Sequence, residues 1–256
     1  MKIRRDSNGI PIADSSDIER IAAHFLHVLV PATLVRPQFT PLAEIANSLS
    51  ERGLCTFSFD EDLGSNARGH KLFGYFAIGR KHIAVDCSLD SDDPRFSFTL
   101  AHELGHFYLH GKVKPSALSD SSSVIQDSTR EIVTHRIESD NPRSLLEWQA
   151  NQFAAAILMP RSTTLPALLA IQESLGVTRH AGRVWLDRQR QSQKDYHSTL
   201  SGLAGLFRVS KSVVRIRLKE VGVLDEDERY MPRSIKTTLG AILEDMFAEN
   251  SRAEPV

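Results

Sequence analysis

The apolar residues near the start of the chain recur three and four places apart, which is the spacing of one face of a helix. This pattern predicts amphipathic helices over residues 14–30 and 41–52. Ser15 or Ser16 is the expected N-cap of the first helix, because a serine hydroxyl accepts a hydrogen bond from an unpaired backbone N–H group. Pro31 ends this helix, since proline has no N–H to continue the ladder of hydrogen bonds.

The pattern changes after residue 53 to short runs of aromatic and β-branched residues. Residues 54–59 predict one strand, and residues 72–78 and 82–86 predict a hairpin with Gly79-Arg80-Lys81 as its turn. Glycine and polar residues indicate a loop between the first strand and the hairpin. As a hypothesis, an extended substrate chain pairs with the exposed edge of this hairpin.

Helical spacing returns in two stronger segments. Asp93 and Pro94 open the first in the favoured order of capping carboxylate and proline, and this helix is predicted to continue to residue 110. The second is predicted over residues 143–159. Between them, residues 112–141 are polar and rich in serine, which indicates a loop.

Together these elements indicate an α+β protein, with a small sheet and helices packed around it. We predict a first domain over residues 1–165 that contains the N-terminal helices, the sheet and the two stronger helices. Residues 166–256 form a predicted helical C-terminal region, with a helix-turn-helix-like unit near 200–224.

Composition narrows the class of protein. With 256 residues, 41% hydrophobic and 25% charged, the chain has a globular profile, and its net charge of −1 gives no overall basic field for a nucleic acid or a membrane. Its two cysteines, Cys55 and Cys87, form no C-x-x-C pair and are expected to be reduced thiols. No signal-like or membrane-spanning segment is apparent, so the protein is expected to be cytoplasmic.

One short motif carries candidate chemistry. His102, Glu103 and His106 lie in the predicted helix as His-Glu-Leu-Gly-His. Imidazoles four residues apart project from one helix face and can bind one ion at about 2.0–2.1 Å, while the glutamate beside them can act as a base on water. The other positions of this helix are largely apolar, where three polar groups would be costly to bury without a partner. The motif predicts one catalytic Zn²⁺ ion on His102 and His106, with Glu103 as the catalytic base.

His110 continues the four-residue spacing but cannot join the same site. It lies about 12 Å from His102 along a helix axis, too far for three histidines to share one ion. A site built from His106 and His110 would leave Glu103 on the wrong turn. We therefore expect His110 to pack, or to form a hydrogen bond, near the helix end.

The third ligand must come from another element. A third histidine would be expected at position 112, which is Lys112, and the sequence around Cys87 does not support a thiolate ligand. A carboxylate on a later helix remains, and the candidates are Glu131, Glu138, Glu147 and Glu173. Glu147 is the best of them, because Asn151 lies four residues further along the same predicted helix and could orient a ligand histidine through its other ring nitrogen.

These residues resemble the ImmA/IrrE family of zinc metallopeptidases. The resemblance covers residues 40–160 and, more loosely, 200–224. It rests on Arg95-Phe96, Phe98-Thr99-Leu100-Ala101-His102-Glu103-Leu104-Gly105-His106, His110, Glu147-x-x-Ala150-Asn151-x-Phe153-Ala154 and Leu158-Met159-Pro160. By this resemblance the fold is a zincin-like peptidase domain, the zinc ligands are His102, His106 and Glu147, and the base is Glu103.

The resemblance also implies a reaction and a substrate class. Members of the family cut helix-turn-helix transcriptional repressors and so relieve repression, which makes such a repressor the expected protein partner. Two segments depart from the family: the loop over residues 112–141 is longer than usual, and residues 171–197 look like an added helical stretch. For the group that stabilises the oxyanion, the candidates are Tyr75, His135 and Arg161.

The helix-turn-helix-like unit supports a different class of function. Five basic residues against one acidic residue give it a local charge of +4: Arg208, Lys211, Arg215, Arg217 and Lys219 against Glu220. Such a helix could enter a DNA major groove, so the alternative function is a DNA-binding regulator whose zinc site is structural or sensory. A packing or substrate-docking module explains the unit without DNA, and we favour that explanation.

Overall fold

A computed structural model of the chain describes residues 3–66, 69–114, 124–128, 142–178 and 180–227, with the backbone alone for 124–128. Its elements in chain order are α1 (Ser15–Leu29), α2 (Leu42–Glu51), β1 (Thr56–Ser58), β2 (Leu72–Ala77), β3 (His82–Val85), α3 (Pro94–Gly105), β4 (Val124–Ser128), α4 (Pro142–Leu158), α5 (Arg161–Ser174), β5 (Val184–Leu186), α6 (Arg190–Phe207), α7 (Lys211–Glu220) and β6 (Leu224–Glu226). A 3-10 turn (Pro31–Leu34) follows α1, and a π-helical turn (His106–His110) extends α3. The architecture is α+β, as predicted.

The helix starts follow the local sequence, with one correction. Asp93 caps α3 as predicted, accepting a hydrogen bond of 2.8 Å from a backbone N–H of the first turn. At α1 the cap is Asp14, and not Ser15 or Ser16: Asp14 Oδ1 accepts from the N–H of Asp17 at 2.8 Å, and the Asp17 carboxylate accepts from the N–H of Asp14 in return. A carboxylate here also interacts favourably with the helix dipole, which a neutral serine does not.

The first four strands form one sheet in the order β1-β3-β2-β4. β2 and β3 pair antiparallel, which confirms the predicted hairpin, and β1 joins β3 in parallel. β4 pairs antiparallel with the other side of β2, with Ile125 opposite Phe76. The predicted loop over residues 112–141 is therefore wrong at β4. The hypothesis of an exposed hairpin edge is wrong as well, because β2 lies inside the sheet.

The apolar core is centred on α4. This helix is buried along most of its length and contacts α1, α3 and α7. The rings of Phe25 and Phe153 meet edge to face at 5.4 Å, and the ring of Tyr108 lies 5.1 Å from Phe25. Buried residues from Ile18 to Leu224 belong to this core. The predicted domain division near residue 165 stays a prediction.

Beyond α4 the chain adds helices and two short strands. α6 ends at Arg208, whose φ of 52° is left-handed, and Ser210 caps α7 by accepting from the N–H of Val213 at 3.2 Å. This is the helix-turn-helix-like arrangement predicted near residues 200–224. β5 and β6 pair in parallel, so the expected helical stretch over 171–197 is wrong at β5. A strand of three residues is too short to reveal its period in the sequence.

Among the described residues, no single helix is long and apolar enough to cross a membrane. α4 and α5 taken together reach that length and composition, but the chain bends by 56° between them. α4 is, moreover, a core helix of the fold. The cytoplasmic location stays a prediction.

Candidate metal centre

Two helices bring three of the predicted ligands together. His102 projects from α3, His106 from the π-helical turn that follows it, and Glu147 from the second turn of α4. The two histidine Nε2 atoms are 2.8 Å apart, and Glu147 Oε2 lies 3.1 Å from that of His102 and 3.3 Å from that of His106. All three side chains are buried. The triangle has the size that one ion needs, because ligand atoms bound at about 2.0–2.1 Å in a tetrahedral site lie roughly 3.3 Å apart.

Small residues on both helices allow this convergence. The backbone of α3 at Gly105 runs against α4 at Ala150, so that a Cβ atom at Gly105 would lie 3.1 Å from both the Cα and the carbonyl oxygen of Ala150. A larger side chain at either position would force the two helices apart and withdraw Glu147 from the imidazoles.

Asn151 fixes the tautomer of His102. Asn151 Oδ1 lies 2.9 Å from His102 Nδ1. An amide oxygen only accepts hydrogen bonds, so Nδ1 carries a proton and Nε2, which faces Glu147 and His106, is the nitrogen that remains to bind a metal ion. This is the ring orientation that metal binding through Nε2 needs, and Asn151 lies where the sequence suggested an orienting residue.

The charges and the unused hydrogen-bonding capacity of this cluster favour a cation. Burial alone raises the pKa of Glu147, but the imidazoles of His106 and His102 outweigh it and hold the pKa below its usual range. Burial lowers the pKa of His106, although the charge of Glu147 acts in the opposite direction. Glu147 Oε1 is buried and has no hydrogen-bond partner among the described residues. A buried carboxylate oxygen without a donor is costly unless a positive charge lies nearby, and two histidines with one glutamate suit a catalytic zinc ion.

Glu103 is fully buried against strand β2. A Cβ atom at Gly74 of that strand would lie 3.0 Å from Glu103 Oε1 and 2.6 Å from the Thr99 methyl group, so the strand can approach this closely only at a glycine. Gly74 was not among the predicted site residues. Its signal was present, however, because a single glycine inside a strand often marks a close approach of the backbone.

Several predicted site residues do not gather at the cluster. Tyr75 lies on the face of β2 turned away from α3, with its ring 6.0 Å from that of His82. Arg161 begins α5, beyond the end of α4 and at least about 16 Å along the helix from Glu147. Glu173 is exposed near the end of α5. Three further candidates lie outside the described residues, namely Glu131, His135 and Glu138.

A basic residue that was not predicted lies nearer to the cluster. Arg143 is half-buried on α4 one turn before Glu147, so both side chains leave the same face of the helix. After burial and the neighbouring His102, the charge of Arg143 also lowers the pKa of His106. The four-residue spacing from Arg143 to Glu147 was the signal in the sequence.

Basic side chains of the helix-turn-helix-like unit are bound to carboxylates of the chain itself. Arg215 and Lys219 both pair with Glu226, at 2.7 and 2.8 Å. Arg217 is buried and pairs with Glu19 of α1 at 2.7 Å. The positive face that the sequence suggested on α7 is therefore largely neutralised by intramolecular ion pairs.

A family model agrees with the two motifs. The model named Peptidase_M78, described as the IrrE N-terminal-like domain, matches residues 61–219, which is more than half of the chain. The matched segment contains both helices of the candidate centre. Among curated proteins, none matches the chain.

Proposed function

The chain belongs to this Peptidase_M78 family, and on that premise we propose that it is a zinc-dependent endopeptidase that cuts a helix-turn-helix transcriptional repressor and so relieves repression. Family membership supports a metallopeptidase, and the buried cluster fits a metal ion. One observation supports the finer proposal most strongly: two imidazole nitrogens and one carboxylate oxygen lie within 3.3 Å of one another in a buried site.

Zinc is the metal that we propose for this site. Two histidines and one glutamate, with a fourth position for water, form a frequent ligand set of zinc hydrolases. His102, His106 and Glu147 would hold the ion. When bound, zinc supplies Lewis acidity, which lowers the pKa of water from about 15.7 to about 7 and polarises a carbonyl group.

Glu103 is the proposed catalytic base. It follows His102 directly, so it lies about 100° further round the helix and can reach a water molecule near the ligands without being a ligand itself. Its carboxylate takes a proton from that water and passes it to the nitrogen of the leaving amine, so that one water is consumed for each peptide bond broken. The close backbone at Gly74 limits the movement of this carboxylate toward strand β2.

A peptide in extended form can reach these groups along the sheet. β4 is one of the two edge strands of the sheet, at the side of β2, and among the described residues its backbone pairs only with β2. The outer side of β4 therefore offers N–H and C=O groups to a substrate strand. The repressor as substrate is supported by the family resemblance of the two motifs.

Cleavage of a repressor is the direct test. Zinc-loaded protein is mixed with purified helix-turn-helix repressors from the same genome, beginning with any that is encoded beside it, and the fragments are measured by intact mass. We expect cleavage by the wild type, and cleavage about 10²–10⁴-fold slower by Glu103→Gln at unchanged zinc content. Glu173→Gln, which changes an exposed glutamate, is the control and should act at the wild-type rate. An uncut repressor, or equal rates for wild type and Glu103→Gln, would contradict the proposal.

A DNA-binding regulator with a structural or sensory zinc site is the second candidate. The arrangement of α6 and α7 favours it. The ion pairs of Arg215, Arg217 and Lys219 make DNA binding less favourable, since phosphate groups would have to replace the carboxylates that these cations already contact. Duplex DNA binding that is lost in Lys211→Gln and unchanged in Glu103→Gln would favour the regulator.

A further inference from the structure

A chain of buried hydrogen bonds leads from the candidate centre to the start of the protein. His106 Nδ1 lies 2.9 Å from His110 Nδ1, and His110 Nε2 lies 3.0 Å from Gln149 Oε1. The amide nitrogen of Gln149 donates to the carbonyl oxygen of Pro11 at 2.9 Å. The three side chains are at most 1% exposed, so bulk water does not compete for these bonds.

The Pro11 carbonyl sets the direction of every bond in this chain, because it can only accept. Gln149 must turn its NH₂ group to Pro11 and its oxygen to His110. That oxygen requires a proton on His110 Nε2. The His110 ring is fully buried and, among the described residues, forms no hydrogen bond with a carboxylate that could stabilise a charge, so it is held neutral and Nδ1 keeps its lone pair. His106 must then donate from its own Nδ1, so its Nε2, which faces the other ligand atoms, is the nitrogen that remains to bind a metal ion.

The amino-terminal arm (residues 3–13) is anchored to the π-helical turn that contains His106 and His110. Arg5 Nη1 donates to the carbonyl oxygens of Leu109 at 2.7 Å and of Gly9 at 2.8 Å. Gly9 has a φ of 83°, and a Cβ atom there would lie 2.2 Å from the carbonyl oxygen of Lys112. These contacts hold the arm, and with it the Pro11 carbonyl, in a fixed position relative to the histidines.

We propose that His110 and Gln149 are positioning residues that, together with the Pro11 carbonyl, hold His106 in the tautomer whose Nε2 can bind a metal ion. This inference rests on the proposed zinc site. His110 would orient His106 through its Nδ1, as Asn151 orients His102 through its Nδ1. The Nε2 atom of each ring would then be available to bind the ion. It also makes the amino-terminal arm part of the metal centre, although the arm supplies none of the three ligand atoms.

Zinc affinity and the tautomer of His106 test this proposal without any substrate. In His110→Phe the acceptor for His106 Nδ1 is lost, and we expect a zinc Kd about 10–100-fold higher, measured by competition with a chromogenic chelator. Nitrogen-15 NMR of the metal-free protein should show His106 as the Nδ1–H tautomer in the wild type and as a mixture in His110→Phe. His110→Asn keeps an acceptor oxygen and a donor nitrogen and should restore most of the affinity.

Two amides of α4 provide a matched comparison. Gln149→Leu breaks the link between the arm and His110 and should weaken zinc binding, by less than His110→Phe does. Gln152→Leu removes a similar amide, which donates to Glu220 of α7 at 2.6 Å, and should leave the zinc Kd unchanged.

Wild-type zinc affinity in both His110→Phe and Gln149→Leu would overturn the proposal. So would an equal loss of affinity in His110→Phe and His110→Asn, because that result would assign the effect to packing. Neither readout involves proteolysis, so a negative result here would leave the proposed peptidase activity standing, and a failure to cut a repressor would not alter the zinc affinities.

Discussion

The candidate metal centre and the helix-turn-helix-like unit each place charged residues on a pair of helices, and they differ in how those charges are satisfied. In the centre, Glu147 Oε1 is buried without a partner among the described residues, and the nitrogens of His102 and His106 face the other oxygen. Next to α7, the Glu226 carboxylate accepts from three side chains, those of Tyr196, Arg215 and Lys219.

This difference separates a binding site from a packing contact. A buried carboxylate oxygen that lacks a hydrogen-bond donor destabilises the fold, and such a cost persists where a ligand later supplies the missing partner. A carboxylate whose donors all come from the same chain has no such requirement. The centre is therefore suited to hold an ion, whereas the charges of α7 and β6 hold helices and strands together.

The largest effect is expected when the Glu147 carboxylate is removed from the candidate metal centre. In Glu147→Gln we expect the zinc Kd to rise by at least about 100-fold, since a ligand contributes more than the outer residues that orient it. Chelator competition measures this change. An unchanged zinc Kd in Glu147→Gln would show that Glu147 is not a ligand.

The reciprocal change, Glu226→Gln, should cost stability and leave the zinc Kd unchanged. The Glu226 side chain is 1% exposed, and Arg215 and Lys219 would lose their counter-charge. We expect a loss of roughly 2 kcal/mol at pH 7, below the value for fully buried pairs because both cations are partly exposed. Urea unfolding measures it, and equal stabilities at pH 7 would show that these ion pairs contribute nothing.

The stability that Glu226 contributes depends on pH, and the direction of this dependence follows from its pKa. Burial raises the pKa of Glu226, but the hydrogen bonds from Arg215, Lys219 and Tyr196 lower it by a larger amount. The pKa in the folded protein therefore lies below the ordinary 4.5. The stability from this group is therefore present above pH 4.5 and is lost as the pH falls through the lowered value. The difference between wild type and Glu226→Gln should shrink at the acidic end of the urea series.

The smallest effect on the free energy of unfolding is expected for Glu220, at the contact between α7 and α4. Burial raises the pKa of Glu220 to about 7, although Arg217 and Gln152 act in the opposite direction. The folded state then prefers the protonated carboxyl, so this group's contribution to stability declines as the pH rises from about 4.5 to about 7. Glu220→Gln keeps an acceptor for Gln152 and should be about 1 kcal/mol more stable than the wild type at pH 8, with little difference at pH 4.5. Denaturant curves across this range that differ by a constant amount would contradict the expectation.

Elements whose determinants are close in sequence could be predicted. The cap at Asp93, the hairpin and the spacing of His102 and His106 each depend on residues a few positions apart. β4 and β5 were missed because five and three residues, paired through backbone hydrogen bonds, show no period that the sequence could reveal. The ion pairs of α7 could not be predicted for a different reason: Arg217 pairs with Glu19, which lies 198 positions away.

In the candidate site, too, the contacts between residues far apart in the sequence could not be predicted. The sequence supplied the ligand types and a preference for Glu147 among four glutamates, because both helices carry short motifs. It gave no sign that Gln149 contacts Pro11, since these residues are 138 positions apart and neither belongs to a recognisable pattern. The outer contacts of a metal site depend on how distant segments pack, and a local motif does not contain that information.

The position of α1 has a practical consequence. The family match begins at residue 61, whereas α1 buries Ile18, Ile21 and Phe25 in the core and packs on α4. A fragment trimmed to the matched segment would expose that apolar side of α4 to water and would also lack Pro11. We expect such a fragment to precipitate on expression. Homology limits are thus a poor guide to where this protein can be truncated.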